Sequence, residues 1–139
     1  MPGAQVTVRV DKRPLRALVR AMPNRTRLVV RRNAFAMADR AKSFAHVITG
    51  SMRDSVYVNM GGGDSTYTQA VSTAAADNPR ARIVGEIQPE KTRASAVVGV
   101  AVEHGIYEEF RAGHRFLLPA AEAINPAFIR DAQTIIAPP

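Results

Sequence analysis

Polar and apolar residues alternate at the start of the chain. Residues 5–10 read QVTVRV, with Val6, Val8 and Val10 on one face and Gln5, Thr7 and Arg9 on the other, which predicts a short strand. The period then lengthens. Leu15, Leu18, Val19 and Met22 follow at i, i+3, i+4 and i+7 and predict a short helix over 12–22, with Pro23 ending it. Val30, Ala34, Met37, Ala41, Phe44 and Ile48 form a seam spaced 4, 3, 4, 3, 4. This predicts a long helix over 24–49, with Asn24 as N-cap and Gly50 supplying the left-handed position after it. The seam suits a sheet of the same chain or a neighbouring subunit, and small residues along the helix (Ala34, Ala36, Ala38, Ala41, Ala45) allow close approach.

After Gly50 the pattern is that of strands. Residues 55–60 (SVYVNM), 80–87 (RARIVGEI) and 94–102 (ASAVVGVAV) are rich in β-branched residues, and 88–93 (QPEKTR) is a hairpin loop between the last two. Gly85 and Gly99 within these runs predict bulges or strong curvature. Gly61-Gly62-Gly63-Asp64-Ser65 reads as a flexible loop, residues 66–76 fit strand or helix, and Asp77-Asn78-Pro79 is a turn; 61–79 is set apart as an insertion in a sheet spanning 54–102. A short acidic element, 105–110 (GIYEEF), precedes a loop. A closing helix over 116–136 then carries Leu118, Ala121, Ile124 and Phe128 as its apolar set, with Pro119 in its first turn and Pro126 as a break or kink. The expected fold is one α+β domain over 1–139. N-terminal helices, one of them long, pack on a three- to four-stranded antiparallel sheet closed by a C-terminal helix.

Composition narrows the function. The 139 residues are 46% hydrophobic and 22% charged, with no cysteine, which suits a globular chain without disulfides or thiolate metal sites. No apolar run approaches the ~18 residues of a membrane span, and the first residues lack the layout of a signal peptide, so a soluble protein made in the cytoplasm is expected. The net charge of +7 is uneven. Residues 9–53 hold twelve Lys/Arg against Asp11 and Asp39, a net +10, which leaves −3 for the rest. Two surfaces of opposite character follow, suited to nucleic acid or to a neighbouring copy packed basic face to acidic face. The candidate basic face is Arg25, Arg27, Arg31, Arg32, Arg40 and Lys42.

Catalytic chemistry finds little support. His104, Glu108 and Glu109 are the nearest approach to a metal set, but zinc needs at least three well-placed ligands and a solvated acidic turn is the plainer reading. Gly61-Gly62-Gly63 lacks the Gly-Lys-Ser/Thr ending of a phosphate loop, and Ser51, Ser55 and Ser65 have no activating neighbours. No enzyme activity, metal or cofactor is expected. A nucleic-acid-binding module built on the basic helices within 9–53 is the alternative, although helix-turn-helix spacing and an aromatic platform for single strands are both missing there.

Several segments in order carry a resemblance. They are Thr49-Gly50-Ser51-Met52-Arg53-Asp54-Ser55-Val56, Val98-Gly99, Tyr107-Glu108-Glu109-Phe110 and Arg115-Phe116-Leu117-Leu118-Pro119-Ala120. Following a short leucine-containing helix and a long Ala/Arg-rich one, this order is similar to the neck, tail-completion and tail-component (head–tail joining) proteins of tailed bacteriophages, over roughly residues 12–130. The family has Val-Glu-Phe-Gly where this chain has Glu108-Glu109-Phe110-Arg111, and a proline where it has Arg115. The resemblance implies a non-catalytic virion protein of the neck or tail, assembled in the host cytoplasm into a ring, commonly a hexamer. Its neighbours would be a head-closure, stopper or connector protein on one side and a tail tube or tail terminator protein on the other. Phage DNA would pass through the lumen, and no membrane is involved. Neck protein, tail terminator and minor tail component all fit. The implied structural positions are Gly50, Met52, Arg53, Ser55, Gly99, Tyr107, Glu109, Phe110, Phe116, Leu117 and Pro119, with Phe110, Phe116, Leu117 and Pro119 pinning the last helix to the sheet.

Overall fold

The computed structural model describes residues 7–8, 23–45, 50–90, 95–111 and 113–136. The expected short helix over 12–22, most of the strand over 5–10, residues 46–49 of the long helix and 91–94 of the hairpin loop lie outside the described residues. Among those described, five helices and two strands follow in the order α1 (Pro23–Phe44), α2 (Ser51–Asp54), β1 (Val56–Asn59), α3 (Tyr67–Asp77), β2 (Val97–Val100), α4 (Glu103–Phe110) and α5 (Leu117–Ile136). The architecture is α+β, and no described helix is long and apolar enough to cross a membrane.

Helix α1 buries Val29, Val30, Ala34, Met37, Ala38, Ala41 and, just beyond its last turn, Ala45. Four of the seam positions expected from the sequence are therefore internal. Phe44 is not, being 43% exposed, and Ala45 takes the next inward position. A 3.5-residue seam drifts around a straight 3.6-residue helix by about 20° per heptad, so its later members leave the buried face. The most extensive contact in the fold joins α1 to α5. Asn33 Nδ2, buried between them, donates to Val29 O at 2.9 Å and to Asp131 Oδ2 at 2.9 Å.

β1 and β2 are antiparallel, in the register Val56↔Val100, Tyr57↔Gly99, Val58↔Val98 and Asn59↔Val97. Side-chain alternation assigns the two faces. Val56, Val58, Val98 and Val100 join the main core with α1 and α5, and Tyr57 on the other face joins Ala70 and Ala101 beneath α3. Gly99 is not a bulge. A Cβ there would lie 2.8 Å from Tyr57 Cζ and Oη, so the glycine makes room for a buried ring on its cross-strand partner.

The expectation of three to four strands is met only in part. Val8 makes a single antiparallel bridge to Val98 of β2, and Ile83 makes one to Val102, two residues beyond β2. Residues 80–87 form no continuous strand. Arg82 O accepts from Glu103 N at 2.9 Å and Val84 N donates to Ala101 O at 2.8 Å, one isolated bridge just past β2, and beyond it side chains take the backbone groups. Tyr67 Oη donates to Val84 O at 2.6 Å, Ile87 N donates to Tyr57 Oη at 3.0 Å, and Asn59 Nδ2 donates to Ile87 O at 3.1 Å. Gly85 is exposed with open space around it.

The segment set apart as an insertion is a turn followed by a helix. Gly61, Gly62 and Gly63 have φ of +81°, +61° and +88°, a left-handed run open only to glycine at low cost. Helix α3 follows, its alanines settling the ambiguity of 66–76, with Ala70 and Ala74 buried. The acidic element at 105–110 is helix α4, which begins at Glu103.

Helix α5 runs through Pro126 without a break. The proline leaves the Glu122 carbonyl without its helical donor, and both residues are exposed, so water can satisfy it. Of the expected apolar set Phe128 is buried, and Ala121 and Ile124 pack against the core, but Leu118 is 41% exposed. Phe116, Leu117 and Ala120 hold the inward positions instead, each fully buried.

Candidate subunit-contact surface

The corner between α4 and α5 is built on two adjacent glutamates. Both are buried, which a carboxylate tolerates only when its oxygens are satisfied. Glu109 Oε2 accepts from the backbone N–H of Phe116 at 2.9 Å and of Leu117 at 2.8 Å, and Oε1 accepts from Leu118 N at 2.9 Å. These are donors that the start of a helix leaves without intrahelical partners, and a negative charge there also suits the helix dipole. One side chain thus caps α5 and fixes its rotation, which places Leu117 inward and Leu118 outward.

Glu108 faces the loop. His114 Nδ1 hydrogen-bonds Glu108 Oε2, and His104 Nε2 and Arg111 Nη1 each lie 3.6 Å from Oε1. Burial pushes this carboxyl up. The hydrogen bond from His114 and the charges of His114, His104 and Arg111 outweigh it, holding Glu108 below its ordinary value of 4.5. A carboxyl whose folded value is depressed adds stability that is present above its unfolded value and is lost as pH falls through the folded one. The urea midpoint is therefore expected to drop as pH is lowered below about 4.5, and Glu108→Gln should flatten that slope while reducing stability at pH 7. An unchanged acid slope in the variant would remove the cluster from the account.

Around this hydrogen-bonded corner lie apolar side chains that the core does not use. Phe110 is 67% exposed and Tyr107 46%, three residues apart on α4, with Leu118 beyond the cap. Phe110 therefore does not pin the last helix, contrary to expectation. Phe116 and Leu117 do, and Pro119 is half-buried beside them. Tyr107 Oη donates to Glu103 Oε1 at 2.9 Å, and Glu103 also pairs with Arg82 at 3.3 Å.

The segment 49–56 is architectural where it is described. Gly50 has φ +84° and leads into α2, Met52 is in the core, and Ser55 is buried with Oγ donating to Met52 O at 2.7 Å. Arg53 Nε lies 3.2 Å from Asp54 Oδ1. Asp54 in turn lies beside Asp77 at the end of α3, with the Oδ2 of each within 3.6 Å of where a Cβ on Gly50 would sit. That contact lowers Asp54 and raises the exposed Asp77.

The six residues of the expected basic face all lie on α1 but are partly engaged within the chain. Arg31 pairs with Asp64 and stacks 4.9 Å from the Phe35 ring centroid. Arg27 lies 3.7 Å from Asp64 and donates to Met60 O at 3.4 Å, and Arg32 lies 3.8 Å from Asp131. Arg25 and Arg40 are exposed and Lys42 is half-buried. Three of the six thus face carboxylates of their own chain.

Among the described residues no three His, Cys, Asp or Glu side chains converge to hold a metal ion. His104 and Glu108 do meet, but Glu109 turns away to the backbone of α5. The cap by Glu109 and the His114 contact escaped the sequence reading because both bridge six to nine residues, outside the three-residue spacing of a local capping box. Comparison with protein-family models, curated proteins and solved structures gives no match.

Proposed function

We propose that this chain is a structural virion protein of a tailed bacteriophage. It would form part of the neck or tail-completion ring, as tail terminator or head–tail connector, around the DNA channel. The observation that carries the reading is the α4–α5 corner. Two of the motif segments, 107–110 and 115–120, are joined there by the Glu109 carboxylate, and the residues they leave outside the core are Tyr107, Phe110 and Leu118. Large apolar side chains exposed beside a hydrogen-bonded corner suit contact with another protein.

In this role the chain carries no catalysis. Its neighbours are copies of itself in a ring of six, a head-closure, stopper or connector protein, a tail tube or terminator protein, and the DNA passing through. The isolated bridges of Val8 to Val98 and of Ile83 to Val102 mark where a third and a fourth strand would add to the two-stranded sheet. The nucleic-acid-module alternative draws on the same basic helix, where Arg27, Arg31 and Arg32 already share carboxylates of their own chain.

Cryo-electron microscopy of the phage particle that this chain is made with tests the reading. Density for the chain in a ring at the head–tail junction is the expected result. A protein absent from particles, yet retained on DNA with an affinity that falls steeply with salt, would hand the case to the alternative.

A further inference from the structure

Two charged positions sit at the wrong ends of their helices. Asp77 closes α3, whose last turn holds no basic residue, so its carboxylate adds to the negative end of the helix dipole. Asp54 lies against it, the Oδ2 atoms of both within 3.6 Å of where a Cβ on Gly50 would sit; Arg53 lowers both carboxyls and Lys42 lowers Asp54. At the other corner Arg115 stands just before α5, whose first turn holds no acidic residue, and a cation is disfavoured there even beside the Glu109 cap. Arg115 is exposed and has no ion-pair partner among the described residues; Arg111, nearby, keeps 66% of its side chain exposed.

These corners are carried by helices that pack on different faces of the sheet, with Met52 of α2 against Gly105 of α4 between them. Helix α3 covers the face that carries Tyr57. Helices α1 and α5 cover the opposite face, and α4 approaches it where Gly105 meets Val100. A head-to-tail ring requires two such separate and complementary surfaces on each subunit. The textures also match: Phe110, Tyr107 and Leu118 protrude at one corner, and exposed, small Ala75 and Ala76 precede Asp77 at the other.

We propose that one copy of this chain docks through its Tyr107–Phe110–Leu118 corner on the C-terminal end of α3 of the next copy, with Arg111 and Arg115 meeting Asp54 and Asp77. The proposal rests on the ring reading and supplies its subunit contact. Each misplaced charge gains the partner that its own helix lacks, and the exposed aromatic ring is covered.

Sedimentation velocity of the full chain over a concentration series tests it, with circular dichroism to confirm that each variant is folded. Wild type is expected to self-associate. Arg115→Glu and Asp77→Arg alone should each weaken association about tenfold or more, and the two together should restore it. Phe110→Ser, at a side chain the core does not use, should weaken it comparably. A wild-type oligomer indifferent to all of these, or a double variant no better than the singles, would overturn this contact and leave the ring reading standing. A chain that is monomeric at every concentration and is not found as a ring in particles would overturn both.

Discussion

Phe116→Ala is expected to destabilise the fold by about 4 kcal/mol, the largest effect of any single replacement considered. Phe116 is fully buried and belongs to the core cluster that α1, α5 and the sheet share. Truncation removes a ring's worth of buried apolar surface and leaves a void that a close-packed interior fills only in part. The backbone N–H of residue 116 still reaches Glu109 in the variant, so the start of α5 should remain helical while the core loosens. Native domains are stable by roughly 5–15 kcal/mol, so the loss should be plain in a urea titration as a lower midpoint at nearly unchanged slope. A loss under about 1 kcal/mol would mean that the ring is not packed as described.

Glu109→Ala should come next, at about 3 kcal/mol. The change strands three backbone donors and opens a small cavity, each stranded buried group costing about 1–3 kcal/mol less whatever water recovers. Glu109→Gln separates charge from shape. Its carbonyl oxygen can still serve Phe116 and Leu117, but its amide would turn hydrogens towards Leu118 N, so roughly half the loss is expected. Because Phe116 is both a core side chain and one of the donors Glu109 holds, the two alanine replacements should not add. An additive double variant would show that the cap and the core are independent, and the corner would lose its standing as one unit.

The sequence made the long elements legible because each has many residues obeying one period. The expected helix 24–49 appears as Pro23–Phe44 over its described part, the strand 55–60 as Val56–Asn59 and the closing helix 116–136 as Leu117–Ile136. Residues 80–87 misled because β-branched composition reports a half-buried extended segment whether or not a ladder forms. Here the backbone pairs only at Arg82 and Val84, and Tyr57, Asn59 and Tyr67 take the groups of Val84 and Ile87 that would have continued the ladder. Phe110 misled because hydrophobicity predicts burial on average and says nothing about a contact outside the chain. Of the candidate site, the residue types were visible in order along the chain. The division of labour between neighbours was not. Glu108 faces two histidines and an arginine, Glu109 faces the next helix, and only the turn of α4 separates those roles.

The pairing of α1 with α5 also has a consequence for how the chain is made. Asn33 and Asp131, hydrogen-bonded across that contact, are 98 residues apart. At synthesis rates of about 5–20 residues per second, α1 waits on the order of 5–20 s on the ribosome before its main partner exists. During that time its stripe of Val29, Val30, Met37 and the alanines has nothing from α5 to cover it. The nascent chain therefore passes through a sticky interval. Yield in the cell should depend on translation speed and chaperone supply as much as on the stability of the finished fold.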